Sequence, residues 1–334
     1  MGWVACRNEV GVLITVRGEP KKRPSSEWWS CGGPDQIGER VSCKLLERES
    51  THLPASTIHR ILLRYDLVRD GDRHSLATKR FEREKPNQLW QMDFKGPKGW
   101  NQPVGPLSVL DDHSRYALAL ENTGNTQAQG VRTVLERVFR ESGVPEEMLM
   151  DHGTPWFNTQ GRLGWSQLTV WRMDRDIELY FSGRRHPQTQ GKVERFHRSL
   201  TAALFRRGAP VEEQRQSWLD AFRYEYNYVR PHEALQMRTP HQIWQKSLRP
   251  YQEQPPCWEY PRGSEVDSIG QLRLDGRRYY ISKALAGREV GLLEVEHRIL
   301  VYYRRTLVCE LDPLQSRSFA GDRTWSCKTS SNKV

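Results

Sequence analysis

Apolar and polar positions along the chain change rhythm twice. Over 88–250, short apolar runs alternate with stretches of helical spacing. The runs at 89–94, 107–110, 115–120, 148–150 and 177–181 predict strands. Val131, Val134, Leu135 and Val138 share one helical face, which predicts a helix over 131–139. Two longer helices are predicted over 190–206 and 211–229, and the stretch with Gly153, Pro155, Gly161 and Gly164 reads as a loop. Strands and helices alternating in this way imply an α/β layer architecture. Over 264–312 only strand rhythm remains. Asp275-Gly276 between two apolar runs is a hairpin signal, and three more runs follow at 290–295, 299–303 and 306–311. Five short strands with tight turns predict a small, SH3-like all-β barrel. The tail 313–334 is expected to lack structure.

The pattern ahead of 88 is weaker. Residues 1–40 hold one short strand-like run, 10–16, and otherwise no persistent period, so an irregular or disordered N-terminus is expected. In 54–65, Ser56 is a natural N-cap, and Ile58, Ile61, Leu62 and Tyr65 form an apolar stripe. Arg60 and Arg64 lie on the other side, as on the second helix of a helix-turn-helix facing a DNA groove. An amphipathic helix with a solvated basic face fits the same residues. The expected order is thus 1–40, a partial helix-turn-helix and basic linker at 41–85, an α/β domain at 86–250, and the barrel at 264–312.

Charge adds a partner class. Among 334 residues, Lys and Arg exceed Asp and Glu by 51 to 41, a formal +10, which favours a polyanion such as nucleic acid. The six cysteines form no C-x-x-C pair, so neither a zinc ribbon nor a redox motif is present, and their scatter suits reduced thiols. No apolar run has transmembrane length and no signal pattern opens the chain, so a cytoplasmic location and no membrane partner are expected.

Three carboxylates stand out by position. Asp93 ends one apolar run and Asp151 another, and Glu194 lies in the first turns of a predicted helix. Carboxylates at strand ends beside a helix can converge at one sheet edge. Three such oxygens suit a hard divalent cation, above all Mg2+. Two ions roughly 4 Å apart would clamp an in-line phosphoryl displacement. Asp111-Asp112-His113-Ser114 also mixes acids with a histidine, but it reads as a turn between core strands.

The surroundings of these carboxylates resemble a known family. Gln91-Met92-Asp93-Phe94, Val109-Leu110-Asp111-Asp112-His113-Ser114-Arg115-Tyr116, Asp151-His152-Gly153-Thr154-Pro155, the run from His186 through Gln190-Gly191-Lys192-Val193-Glu194-Arg195, and Tyr226-Asn227-Tyr228-Val229-Arg230-Pro231-His232 occur in order over about half the chain. Together they resemble the integrase core of insertion-sequence transposases, the D-D-E branch shared with retroviral integrases. The resemblance implies a ribonuclease-H-like integrase core with Asp93, Asp151 and Glu194 as catalytic, metal-binding triad and Mg2+ or Mn2+ as cofactor, two ions in all. It implies DNA cleavage and strand transfer at element ends, with DNA as partner and a homo-oligomer assembled on it. Two departures stand against it. The 42 residues between Asp151 and Glu194 exceed the retroviral spacing, and His152 stands where many relatives have Asn. Residues 1–40 match nothing expected, so a truncated, catalytically incompetent remnant that at most binds DNA is the alternative. Candidate DNA contacts are His186, Gln190, Lys192 and Arg195 near the Glu194 helix, Arg60 and Arg64 upstream, and Arg277, Arg278, Arg304 and Arg305 beside the barrel.

Overall fold

The computed structural model describes residues 3–7, 13–17, 82–151, 153–158, 163–182, 190–295, 298–313 and 317–320. The chain divides into two compact units. One comprises 82–97, 102–194 and 245–334. The other comprises 1–81, 98–101 and 195–244. The expected helix over 54–65, with Arg60 and Arg64, lies outside the described residues, as do His152 and His186. Strands β1 (Trp3–Arg7) and β2 (Leu13–Arg17) pair antiparallel, so the strand expected at 10–16 falls slightly later and has a partner.

The first unit is built on a mixed five-stranded sheet. Its strands are β3 (Leu89–Phe94), β4 (Leu107–Asp111), β5 (Ala117–Glu121), β6 (Glu147–Met150) and β7 (Glu178–Phe181), in the order β5-β4-β3-β6-β7. β3, β4 and β5 form an antiparallel meander, and β6 and β7 add parallel to β3. Parallel neighbours need a crossover, and the helices α1 (Ala128–Ser142) and α2 (Gln167–Met173) lie in the β5–β6 and β6–β7 connections. Leu89, Trp90, Met92, Val109 and Leu149 are wholly buried, as expected for strands covered on both faces. The α/β expectation stands. Helix α2 is an element beyond those that the sequence pattern predicts. Its apolar residues are too few for a period to emerge among the surrounding glycines, and a Ser166–Thr169 capping box starts it.

Between β3 and β4 the chain doubles back so closely that Gly105 donates to the Lys95 carbonyl at 3.0 Å. A β-carbon at Gly105 would stand 2.3 Å from that oxygen. Both groups are backbone, so no rotamer change relieves the clash. Gly105→Ala is therefore expected to destabilise the protein by about 1–3 kcal/mol, read as a lower denaturant midpoint at unchanged slope. A midpoint equal to wild type would show that this crossing relaxes freely.

The strand-rich region forms two antiparallel sheets in the same unit. β9 (Gln271–Leu274) and β10 (Arg277–Tyr280) make the hairpin about Asp275-Gly276, both at positive φ. β8 (Gly263–Glu265), β11 (Glu289–Val295), β12 (Arg298–Tyr303), β13 (Thr306–Asp312) and β14 (Arg317–Ala320) form a five-stranded sheet of order β14-β13-β12-β11-β8. No pairing among the described residues closes this sheet on itself. β14 corrects the expectation of an unstructured tail: its partner β13 supplies the ladder that the short run Arg317–Ala320 could not announce alone. The sheet is tied to the core at two buried points. Trp165 Nε1 donates to the Val308 carbonyl at 3.2 Å, and Asp174 takes both Arg288 guanidinium nitrogens and the Tyr303 hydroxyl.

In the second unit, the helix α3 (Gly191–Arg207, residues from 195) and α4 (Arg215–Tyr224) are joined by aromatic packing. Phe196 meets Phe222 at 5.8 Å and Tyr226 at 4.7 Å, both edge to face. His232 lies 4.6 Å from the Tyr226 ring, and the predicted single helix 211–229 ends instead in a π-turn over Glu225–Val229.

Candidate functional site

Asp93 and Asp151 are brought level by the sheet. β3 pairs parallel with β6 in the register Leu89 to Glu147, Trp90 to Met148 and Gln91 to Leu149. Continued by two residues, that register sets Asp93 beside Asp151 where the two strands run out. The Asp151 carboxylate is held from below, accepting the Gly153 backbone N–H at 2.9 Å. A β-carbon at Gly153 would come within 3.1 Å of both its oxygens. Phe94 stacks on Trp156 at 5.5 Å, which ties the residue after Asp93 to the loop that follows Asp151.

Glu194 lies in the first turn of α3. Burial, and next the charge of Asp151, with a further rise from Glu194, push the Asp93 carboxyl up to about 7. Asp151 and Glu194 thus both act on the Asp93 carboxyl. Among the described residues the three are not drawn into a closed set of metal ligands. Hard anionic oxygens that repel one another are still the donor set a divalent cation neutralises best. The donors fit Mg2+ or Mn2+ by this criterion.

Two residues before Asp93 on β3, Gln91 enters a polar network that the sequence did not announce. Asp112 is wholly buried. Its Oδ1 accepts Gln91 Nε2 at 2.8 Å and meets Lys192 Nζ at 2.5 Å, and its Oδ2 accepts the Arg83 backbone N–H at 2.8 Å. Gln91 Oε1 in turn faces the Val193 backbone N–H at 3.4 Å. Burial pulls the Lys192 ammonium down to about 8, with Asp112 opposing the fall. Asp111 caps its own turn, accepting the Ser114 N–H at 2.7 Å, the Ser114 hydroxyl and the Asn87 N–H. The turn reading of Asp111 therefore fits, while Asp112 does more than turn the chain.

Of the residues expected on DNA, Arg195 is exposed, whereas Gln190 is only 8% exposed and Lys192 is turned onto Asp112. Arg304 is buried over the Trp258 ring and donates to the Pro256 carbonyl, and Arg305 pairs with Asp176. No helix among the described residues is long and apolar enough to cross a membrane.

Comparison with known proteins bears on this region. A family model described as an integrase core domain matches residues 83–187, and a second of the same description matches residues 175–240. The chain is 25% identical over 213 residues to the insertion element IS407 uncharacterized 31.7 kDa protein of Burkholderia multivorans (strain ATCC 17616 / 249), covering 61% of this chain and 74% of that one. Among solved structures, it is similar to the HTLV-2 integrase catalytic core domain in complex with magnesium (trimeric form), with 14% identity, 48% and 97% of the two chains covered, and a TM-score of 0.37. A simian T-cell lymphotropic virus intasome in complex with PP2A regulatory subunit B56 gamma gives 14%, 81% and 93%, and 0.42.

Proposed function

We propose, from the premise that residues 83–240 form the integrase core of an insertion-sequence transposase, that this chain is a metal-dependent polynucleotidyl transferase that cuts DNA at its element's ends and joins them to target DNA. The observation that carries this reading is the parallel register of β3 and β6, which continued by two residues sets Asp93 beside Asp151, together with the rise of the Asp93 carboxyl under the charges of Asp151 and Glu194. The strand order β5-β4-β3-β6-β7 suits a ribonuclease-H-like core.

Asp93, Asp151 and Glu194 would hold Mg2+ or Mn2+, two ions in the arrangement proposed. When bound, such ions supply Lewis acidity at the phosphoryl oxygens and lower the pKa of the attacking hydroxyl. Asp93 must give up its proton before it can serve as a ligand. Arg195, exposed one residue beyond Glu194, neutralises a substrate phosphate, which adds affinity and salt dependence but no base choice. The reaction needs no covalent enzyme intermediate. First the phosphodiester breaks as water adds to phosphorus, and the 3′-oxygen leaves with a proton. That 3′-hydroxyl then attacks a target phosphorus, and the displaced strand leaves with its own 3′-hydroxyl. DNA ends, target DNA and a second copy of the chain assembled on them are the proposed partners.

Strand transfer in vitro tests the reading, with DNA ends taken from beside the gene and Mg2+ or Mn2+ present. Wild type is expected to give joined products and Glu194→Gln none. If neither protein joins DNA while both bind it equally, the chain is a remnant without chemistry. Nicked but unjoined products would instead identify a plain nuclease.

A further inference from the structure

Glu194 is exposed on the first turn of α3. Val193, its neighbour, is wholly buried and anchors one side of the first turn. Polar contacts of that turn reach Asp112 and Gln91. Lys192, two residues before Glu194, extends a side chain only 13% exposed to Asp112. The Val193 N–H faces Gln91 Oε1. Gln91 lies two residues before Asp93 on β3, so the two side chains share one face of the strand. Asp112 closes the circuit by accepting Gln91 Nε2.

We infer that Lys192, Asp112 and Gln91 form a buried latch that sets Glu194 at the height of Asp93, and that Lys192 is a positioning residue rather than a DNA contact. This rests on the three-carboxylate reading above. An ammonium this close to a wholly buried carboxylate is its counter-charge: moving Lys192 onto a phosphate would leave Asp112 out of water with two neutral donors, Gln91 Nε2 and the Arg83 N–H, and without that charge. The latch touches helix and strand together, so loosening it changes the distance between Glu194 and Asp93 rather than either carboxylate's chemistry. Groups that orient metal ligands from behind typically change metal affinity by about 10–100-fold when lost.

The test is Mn2+ binding to the full chain by titration calorimetry, alongside the affinity for a plain DNA duplex by fluorescence anisotropy. The variants are Lys192→Met, Asp112→Asn, the double variant, and Glu194→Gln. The latch predicts that each single variant weakens Mn2+ binding by about 10-fold and that the double variant is no worse than either. DNA affinity stays within about twofold of wild type, since a single phosphate contact is not at stake. If a single variant fails to fold, the double variant, with both charges removed, carries the same prediction. The latch is overturned if Lys192→Met weakens DNA binding and leaves Mn2+ binding unchanged, or if the double variant binds Mn2+ as wild type does. Mn2+ binding that ignores Glu194→Gln would instead overturn the three-carboxylate reading itself.

Discussion

Replacing Asp93 by Asn should abolish strand transfer and at the same time make the metal-free protein more stable at pH 8. Burial, Asp151 and Glu194 hold the Asp93 carboxyl up to about 7, against 3.8 for an unperturbed Asp. Between those two values the folded protein binds a proton that the unfolded chain has lost. Stability therefore falls as pH rises through this window, and the cost is fully present above pH 7. A shift of this size corresponds to a penalty on the order of a few kcal/mol. Asn has the shape of Asp but never ionises, so it escapes the penalty. The expected result is a Tm raised by several degrees for Asp93→Asn at pH 8, and a clearly smaller rise at pH 5, where the wild-type carboxyl already carries its proton in the fold; the difference closes only below about pH 4, where the unfolded chain is protonated as well. Mg2+ should do the reverse. It binds the ionised site, so it should raise the Tm of wild type and leave Asp93→Asn nearly unmoved. Thermal unfolding at both pH values, with and without Mg2+, decides the matter. An Asn variant no more stable than wild type at pH 8 would mean that the carboxyl is not strained in the fold. Equal stabilisation of both proteins by Mg2+ would place the ion elsewhere.

The second large effect lies away from the chemistry. Asp174 is 4% exposed at the end of α2. Its two oxygens accept the Arg288 nitrogens at 3.1 and 3.0 Å, and one also accepts the Tyr303 hydroxyl. Burial and the bond to Asp174 hold the Tyr303 phenol well above its ordinary value, so it remains a donor at any working pH. Truncation by Asp174→Ala strands that hydroxyl away from water and removes a two-pronged ion pair. Arg288 is 44% exposed and recovers part of its hydration, which keeps the loss below that of a fully buried pair. A destabilisation of about 3 kcal/mol is expected. Arg288→Ala should cost less, since Asp174 keeps the tyrosine. Urea unfolding followed by far-UV circular dichroism and total tryptophan fluorescence would report both the loss and its extent. Because core and sheet share this anchor, wild type should unfold in one transition. An early separate transition for 263–320 in wild type would show that the anchor does not couple them.

Much of the central fold was legible from local rhythm. The runs at 89–94, 107–110 and 148–150 became strands with ends shifted by no more than one residue, because buried strands are continuous apolar runs and need no partner to be recognised. Hairpin β9–β10 was legible for a different reason. Asp275-Gly276 adopts positive φ at both turn positions, and few other pairs do so cheaply. What escaped was structure created by a neighbour. Helix α2 has only seven residues, too short to carry a period, and β14 exists as a strand through its pairing with β13.

The candidate site divides along the same line. That Asp93 and Asp151 end apolar strands and that Glu194 opens a helix follows from sequence alone, since each depends only on the residues around it. That two of these strand ends are adjacent, parallel and in register is a property of the sheet. So is the rise of the Asp93 carboxyl toward neutrality, which comes from burial and from charges 58 and 101 residues further along the chain. Lys192 shows the limit most clearly. In sequence it is a basic residue near an acidic site, which reads as a phosphate contact. In the fold its ammonium lies 2.5 Å from Asp112, a residue 80 positions earlier. Local sequence determines which groups are present and on what element. Only tertiary packing decides which charge lies next to which, because the energy of an ion pair depends on distance and burial, and neither is written along the chain.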